Sequence, residues 1–254
     1  MPQKSFTHDV TCVVNAHRES HLIFPTLTSV KRAADYAEQC GIQVQIQVIL
    51  DSSDEHTIGI VRRELPESGI ATEVQYGDLA DSRNQAASIS KGRYTAFIDA
   101  DDLWGKSWIA DAFIMAERDA REVIFHPEFN IYFGNSTSHV LRHVDMDSPE
   151  FVADYLYQNN YWTALSFART STYQRFPYTK NTIRDGFGYE DWTWNFETVA
   201  QGVIHKAVPS NCHFIRRGKA EPSLLDLTNT SGSIPRIYNL YKHSRELNNL
   251  KAVA

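Results

Sequence analysis

Three carboxylates crowd into four residues at Asp99-Ala100-Asp101-Asp102, directly after the apolar run 94–98. Carboxylates packed this closely repel one another unless something cationic sits between them. The run before them has the length and residue types of a buried strand, so the acidic group falls at a strand's C-terminal end. Oxygen ligands on a rigid strand end suit Mg²⁺ or Mn²⁺, which takes one or two carboxylates and completes its octahedron with phosphate and water. A helix N-cap explains one aspartate but not three. Open α/β sheets bind ligands at this edge. The stretch 92–104, GRYTAFIDADDLW, therefore reads as a site for a metal and a nucleotide diphosphate.

The elements that position this tip alternate. Residues 10–14 form a compact apolar strand that gives way to Asn15-Ala16-His17-Arg18-Glu19. Leu27, Val30, Ala34 and Ala37 then mark one stripe of a helix, with Gly41 as its stop. Val44, Ile46, Val48 and Leu50 alternate as a strand ending in Asp51-Ser52-Ser53-Asp54. A helix through Ile58, Val61 and Leu65 follows, then a short strand at 73–76 and a helix at 82–91 before the acidic strand. Strand–helix alternation predicts a doubly wound, mostly parallel sheet. Its polar loops NAHRE, DSSD and DADD gather on one edge.

The remainder is less regular. A helix is predicted at 107–118, strands at 122–126 and 129–133 joined by a turn at Pro127, and a short helix at 151–157. A strand is predicted at 162–168, then a loop at 185–188 and a helix at 189–200. Further strands are expected at 203–208 and 212–215, followed by a basic tail from Pro235. The simplest organisation is one domain over 1–254. Residues 8–104 would bind the nucleotide, 105–220 would supply acceptor and base, and 221–254 would form a tail.

Composition narrows the function classes. With 254 residues, the chain is long enough to bury a full core. Its formal charge is −6, from 25 Lys+Arg against 31 Asp+Glu, which disfavours nucleic acid as a partner. The three cysteines, Cys12, Cys40 and Cys212, are far apart and show no zinc spacing. The N-terminus lacks a signal-peptide core, and no apolar run approaches the ~20 residues that span a bilayer. These features point to a cytoplasmic protein. The basic stretch 242–251 allows a peripheral contact with the inner membrane face, although a solvated helix is the better explanation of it.

GRYTAFIDADDLW resembles the G-x-Y-x-x-F-L-D-A-D-D stretch of glycosyltransferase family 2, whose members have the A-type nucleotide-sugar fold and a DXD motif. NAHRE stands where that family has P-x-Y-N-E, and DSSD where it has D-D-G-S-x-D. Ala80-Asp81-Ser82-Arg83-Asn84 is similar to A-x-A-R-N, and Gly188-Tyr189-Glu190-Asp191-Trp192 to G-x-E-D-W. The resemblance runs from about Val10 to Gly202. It implies a Rossmann-like α/β fold and an enzyme that moves a sugar from a nucleotide-diphosphate donor, with a UDP-sugar favoured. The implied acceptor is a glycan or lipid-linked glycan hydroxyl, in polysaccharide or glycoconjugate synthesis.

Carried over by position, the resemblance places Asp99 near the donor's ribose and the metal, with Asp101 as chief ligand of Mg²⁺ or Mn²⁺. Asp51 would accept a hydrogen bond from the base, Arg83 would help hold the nucleotide, and His17 and Glu19 would close the base pocket. The family's proline and tyrosine of the first loop are absent here, which leaves that loop's contacts open. In HFIRR, His213 would add a metal ligand, and Arg216 would reach the diphosphate. Adjacent arginines on a strand point to opposite faces, so only one of Arg216 and Arg217 would do so.

Asp191 is the expected catalytic base. Inverting transfer needs a group that takes the acceptor hydroxyl's proton. A first-turn carboxylate after a Gly-rich loop is expected to be exposed and kept ionised by the helix dipole. Glu190 would orient the acceptor or the loop. A purely structural alternative has both residues serving only the helix start. Trp162, Trp192 and Trp194 suit a sugar face but fit the core better, and His126 and Glu128 suggest no chemistry. Two other functions fit the fold class: a non-catalytic nucleotide-sugar or glycan-binding module, and a sugar nucleotidyltransferase. The latter favours a Gly-rich first loop, which NAHRE is not.

Overall fold

A computed structural model describes residues 6–218 and 223–237. Pro222 and the basic stretch 242–251 lie outside the described residues, as does the rest of the expected tail apart from 223–237.

The first half is built as alternation dictates: β1 (His8–Ala16), α1 (Ile23–Gln39), β2 (Val44–Asp51), α2 (Glu55–Glu64), β3 (Ile70–Val74), α3 (Leu79–Ile89) and β4 (Gly92–Asp99). Strand β3 lies earlier than the sequence pattern predicts, because residues 75–78 turn to meet Asp51. β1 pairs in parallel with both β2 and β4, and β2 with β3. Helix α1 buries Leu27, Val30, Ala33, Ala34 and Ala37 against this sheet. Full burial of a leucine or valine contributes about 1.5–3 kcal/mol. Gly92 is required by close approach, since a Cβ there would lie 2.3 Å from the Thr11 backbone nitrogen. That contact fixes where β4 starts, and so where its acidic end emerges.

The second half comprises β5 (Leu103–Trp104), α4 (Trp108–Arg118), β6 (Val123–Gly134), β7 (His139–Arg142), β8 (Phe167–Arg169), α5 (Thr170–Arg175), α6 (Glu190–Ala200), β9 (Ile204–Arg217) and α7 (Leu224–Thr230). The strand order is β3-β2-β1-β4-β8-β6-β9-β5, with β7 paired to β6. β8 runs antiparallel between β4 and β6, so the sheet is mixed. No helix among the described residues is long and apolar enough to cross a membrane.

Three sequence expectations change here. The strands predicted on either side of Pro127 are one strand, β6, whose register against β9 shifts between Pro127 and Phe129. Proline lacks an N–H, and a bulge absorbs that loss without ending the strand. The two strands predicted at 203–208 and 212–215 are likewise one, β9. The predicted strand 162–168 shrinks to Phe167–Arg169. Its front is irregular because Trp162 is fully buried and stacks on Phe151 and His205.

Candidate functional site

The ends of β1, β2 and β4 meet as expected, with Asn15 and Asp99 as lateral neighbours. On the adjoining loop, the His17 N–H donates to Glu19 Oε2 at 2.6 Å, and His17 Nδ1 lies 2.5 Å from the Asp51 carbonyl oxygen. His17 and Glu19 are thus gathered beside β2's end. Both polar atoms of the buried Asn15 side chain lack a partner.

Asp51 differs from expectation. Its Oδ1 accepts from the backbone N–H groups of Tyr76 (2.8 Å) and Gly77 (2.9 Å) and from Ser52 Oγ (3.1 Å). Oδ2 accepts from Ser82 Oγ (2.7 Å) and the Asp78 N–H (3.2 Å). Burial pushes this carboxyl up, but bonds from Gly77, Ser82, Ser52 and Tyr76 outweigh it and hold the group below the ordinary carboxylate value. A carboxylate has about four lone-pair sites. These donors fill them, so Asp51 clasps β2 to the 76–78 turn and to the start of α3. A hydrogen bond from a nucleotide base has no free lone pair to use.

Arg83 also departs from its expected role of holding the nucleotide. It is 1% exposed, on the buried face of α3. Its Nη2 donates to Asp99 Oδ1 and Oδ2 at 3.1 and 3.3 Å, and Nη1 to Glu190 Oε1 at 2.9 Å. Burial disfavours its charge, but the Asp99 and Glu190 carboxylates more than restore it. Glu190 is 7% exposed, and its second oxygen accepts from Asn181 Nδ2 at 2.7 Å. Glu190 therefore orients the loop before α6 and neutralises Arg83; it faces no open space as a base must.

Asp191, the second residue of α6, is half-buried. Its Oδ1 accepts from the Trp192 N–H at 2.8 Å and its Oδ2 from Asn160 Nδ2 at 3.3 Å. The expectation of a carboxylate kept ionised by the helix dipole is revised. Burial, followed by the neighbouring Glu190 charge, pushes its carboxyl up to about 7, with Arg83 partly opposing. A group poised near neutrality is better suited to accept a proton than an ordinary aspartate. The helix start is held by residues 223–237: Tyr189 Oη donates to Asn229 Oδ1 (2.6 Å), and Gly188 N–H to the Ile234 carbonyl (3.1 Å). Tyr189 has φ of +56°, a left-handed conformation costing about 1–2 kcal/mol that this packing sustains.

Beyond β4, Asp101 and Asp102 are each 4% exposed. Asp102 Oδ1 accepts from the Arg216 N–H at 2.7 Å, and Arg216 Nε donates to the Asp101 carbonyl oxygen at 3.1 Å. Arg216 lies over Phe133 and Arg217 over Tyr132, neighbouring residues of β6, as strand alternation predicts. Arg216 thus sits on the acidic tip, half-buried. His213 does not join it. The ring is fully buried, edge-on to Trp108 at 4.7 Å and beside Trp104, and desolvation lowers its pKa well below the ordinary value.

Among the described residues, no three His, Cys, Asp or Glu side chains come together as a metal-holding group. Asp99 and Asp101 are all-oxygen donors on a strand end, and the Asp99 side chain is 33% exposed. That set fits Mg²⁺ or Mn²⁺ bound by one or two carboxylates, with water and a bound diphosphate completing the shell. It does not fit an all-protein cage, and it does not include His213.

Sequence reading missed Asn160, which touches Asp191, Asn181, which touches Glu190, and Asn195, which touches Asn160. Only Asn195 carries a sequence signal, standing four residues after Asp191 on the same helix face. It also missed a buried histidine group. His126 Nε2 and His205 Nδ1 are 2.9 Å apart, and His143 lies near His126. Trp162 and Trp194 are core, whereas Trp192 is half-buried, its Nε1 donating to the Leu156 carbonyl.

The sequence profile described as "Glycosyl transferase family 2" matches residues 11–187, ending just before α6. Glycosyltransferase SunS of the Bacillus subtilis (strain 168) prophage SPbeta is 31% identical over 105 residues, 41% of this chain. The matched stretch spans only 22% of that relative's length. Among solved structures, S. aureus TarS 1-349 in complex with UDP-GlcNAc superposes with a TM-score of 0.62 at 14% identity. It covers 84% of this chain and 60% of that one. GalNAc-T7 with UDP, GalNAc and Mn²⁺ gives 0.62 at 14% identity, covering 84% and 44%. Mannosyltransferase PcManGT from Pyrobaculum calidifontis with GDP-Man and Mn²⁺ gives 0.58 at 16%, covering 88% and 60%. These likenesses establish an A-type glycosyltransferase fold.

Proposed function

The chain belongs to glycosyltransferase family 2, and on that premise we propose that it transfers a sugar from a nucleotide-diphosphate donor to an acceptor hydroxyl, inverting the anomeric carbon. The observation that carries this reading is Arg83. It joins Asp99, at the donor edge of β4, to Glu190, at the start of the helix that presents Asp191. The leaving-group end and the nucleophile end of the reaction are thereby held in one frame. The half before Trp104 serves the donor, and the half after it serves the acceptor.

Asp191 takes the proton of the acceptor hydroxyl as that oxygen bonds to the anomeric carbon. The bond from that carbon to the diphosphate oxygen breaks, and its electron pair leaves with the nucleoside diphosphate. Arg216, perched on the Asp101 carbonyl, offers its remaining guanidinium donors to that diphosphate. Asp99 and Asp101 would hold Mg²⁺ or Mn²⁺, whose charge would stabilise the departing diphosphate. UDP-GlcNAc, UDP and GDP-Man in the similar structures, two of them with Mn²⁺, support a nucleotide-sugar donor and a divalent ion.

A thermal-shift screen of UDP, GDP and other nucleoside diphosphates with and without Mn²⁺ tests this. One nucleotide should raise the melting temperature; at a hundred times Kd the gain is about 2.7 kcal/mol. Asp101→Ala should remove the Mn²⁺-dependent part. Asp191→Asn should keep the nucleotide shift and lose transfer from the matching nucleotide sugar. Absence of a shift with every nucleotide would overturn the reading.

A further inference from the structure

The Asp191 carboxylate is held by a short chain of amides whose polarity has only one consistent assignment. The Trp162 carbonyl oxygen can only accept, and Asn195 Nδ2 donates to it at 2.9 Å. That fixes the amino end of the buried Asn195 side chain. The same Nδ2 donates to Asn160 Oδ1 at 2.8 Å, with the Trp162 N–H further away at 3.5 Å. Asn160 must then turn its own Nδ2 the other way, to Asp191 Oδ2 at 3.3 Å. An amide orientation is set by its hydrogen-bond network, and here the network begins at a group that cannot be reversed. Flipping Asn160 would set oxygen against carboxylate oxygen and leave Asn195 facing an NH₂ group.

We infer that Asn160 is the positioning residue for Asp191: its amide donates to one carboxylate oxygen and fixes the carboxylate plane, while Asn195 holds Asn160 in place. The inference rests on Asp191 being the base. With the Trp192 N–H on Oδ1 and Asn160 on Oδ2, the carboxylate cannot rotate without losing a donor. Its remaining lone pairs keep one direction. The charged groups that act on Asp191 are Glu190 beside it and Arg83 from α3; Tyr178 and Tyr132 feel its charge in turn, which pushes their phenols up. Among the described residues, Asn160 is the side chain that donates to its carboxylate, and it lies in the irregular segment before β8.

The test is direct titration of the protein with ¹³Cγ-labelled aspartate, without added ligand, by carbon NMR. The parent should show one aspartate carboxyl titrating near neutrality, and Asp191→Asn should remove that signal. Asn160→Ala should move its midpoint upward by about half to one unit, because a donor that favours the ionised form is gone. Asn160→Asp, of the same shape but without the NH₂ donor, should move it further. Nucleoside diphosphate binding by thermal shift should be unchanged in both. Turnover at pH 7 should fall roughly threefold to tenfold in Asn160→Ala, with the donor KM unchanged. An unmoved Asp191 midpoint in both Asn160 variants, with Asp191→Asn inactive, overturns the positioning role alone. Full transfer by Asp191→Asn overturns the base reading beneath it.

Discussion

Arg83 and Glu190 stand 107 residues apart in the chain and 2.9 Å apart in the fold, with the guanidinium fully buried. A buried arginine between two carboxylates contributes little net stability over an apolar replacement of the whole set, but removing one member strands the others. Its value lies in fixing where Asp99 and α6 sit relative to each other.

Arg83→Met should therefore destabilise the protein by about 3–5 kcal/mol in urea unfolding, mostly through the stranded Glu190. Adding Glu190→Gln should recover part of that loss. Arg83→Lys should recover less than the geometry suggests, since an ammonium cannot fork to both carboxylates. A single Arg83→Met variant as stable as the parent would sink the assignment.

As the proposed base, Asp191 should link rate and stability with opposite signs. Its folded pKa of about 7 lies above the ordinary 3.8. Between about pH 4 and 7 the folded state keeps a proton that the unfolded chain has released, so stability falls as pH rises through that window. Transfer needs the ionised base, so the rate should climb through the same window with a midpoint near 7. Asp191→Asn should flatten the stability trend and abolish transfer. Melting temperatures and initial rates from pH 4.5 to 8.5 would check both.

The histidine group predicts acid sensitivity. Burial lowers His143 to about 4 and His205 to about 3, and lowers His126 and His213 well below the ordinary 6.5. Their stabilising contribution is complete above the unfolded value and is lost as pH falls below 6.5 toward 4. In that window each excluded proton costs about 1.4 kcal/mol per pH unit. His205→Gln should give a shallower loss between pH 6.5 and 5 in denaturant titrations. An equal slope would count against the buried neutral state.

Asp51 should behave as a clasp rather than a base reader. Asp51→Asn puts an NH₂ where an oxygen now receives N–H or O–H donors, leaving buried donors unmet at about 1–3 kcal/mol. Amide exchange at Tyr76, Gly77 and Asp78 should accelerate more than elsewhere. If nucleotide binding is lost while those amides stay protected, Asp51 contacts the nucleotide after all.

The residues themselves show how far the sequence reaches. The alternation Val44–Ile46–Val48–Leu50 and the stripe Leu27–Val30–Ala34–Ala37 predict elements that the fold contains, because strand and helix periods are local properties. The gathering of NAHRE, DSSD and DADD follows from parallel pairing alone. Pro127 and residues 162–166 depart from the local pattern because bulges and irregular segments depend on distant partners: β9 for the first, Phe151 and His205 for the second.

The order of motifs along the chain by itself determined the family, the nucleotide-sugar type of fold and the candidate carboxylates at two strand and helix ends. What each carboxylate can do was decided by tertiary structure. Asp51 is saturated by donors from a turn 25 to 27 residues later, and Asp99 and Glu190 share one buried arginine. Asp191 is raised toward neutrality by burial and by Glu190. Residue type sets which proton or lone pair exists. Desolvation and the charges within a few ångströms set whether it is available, and those neighbours are assembled only by the fold.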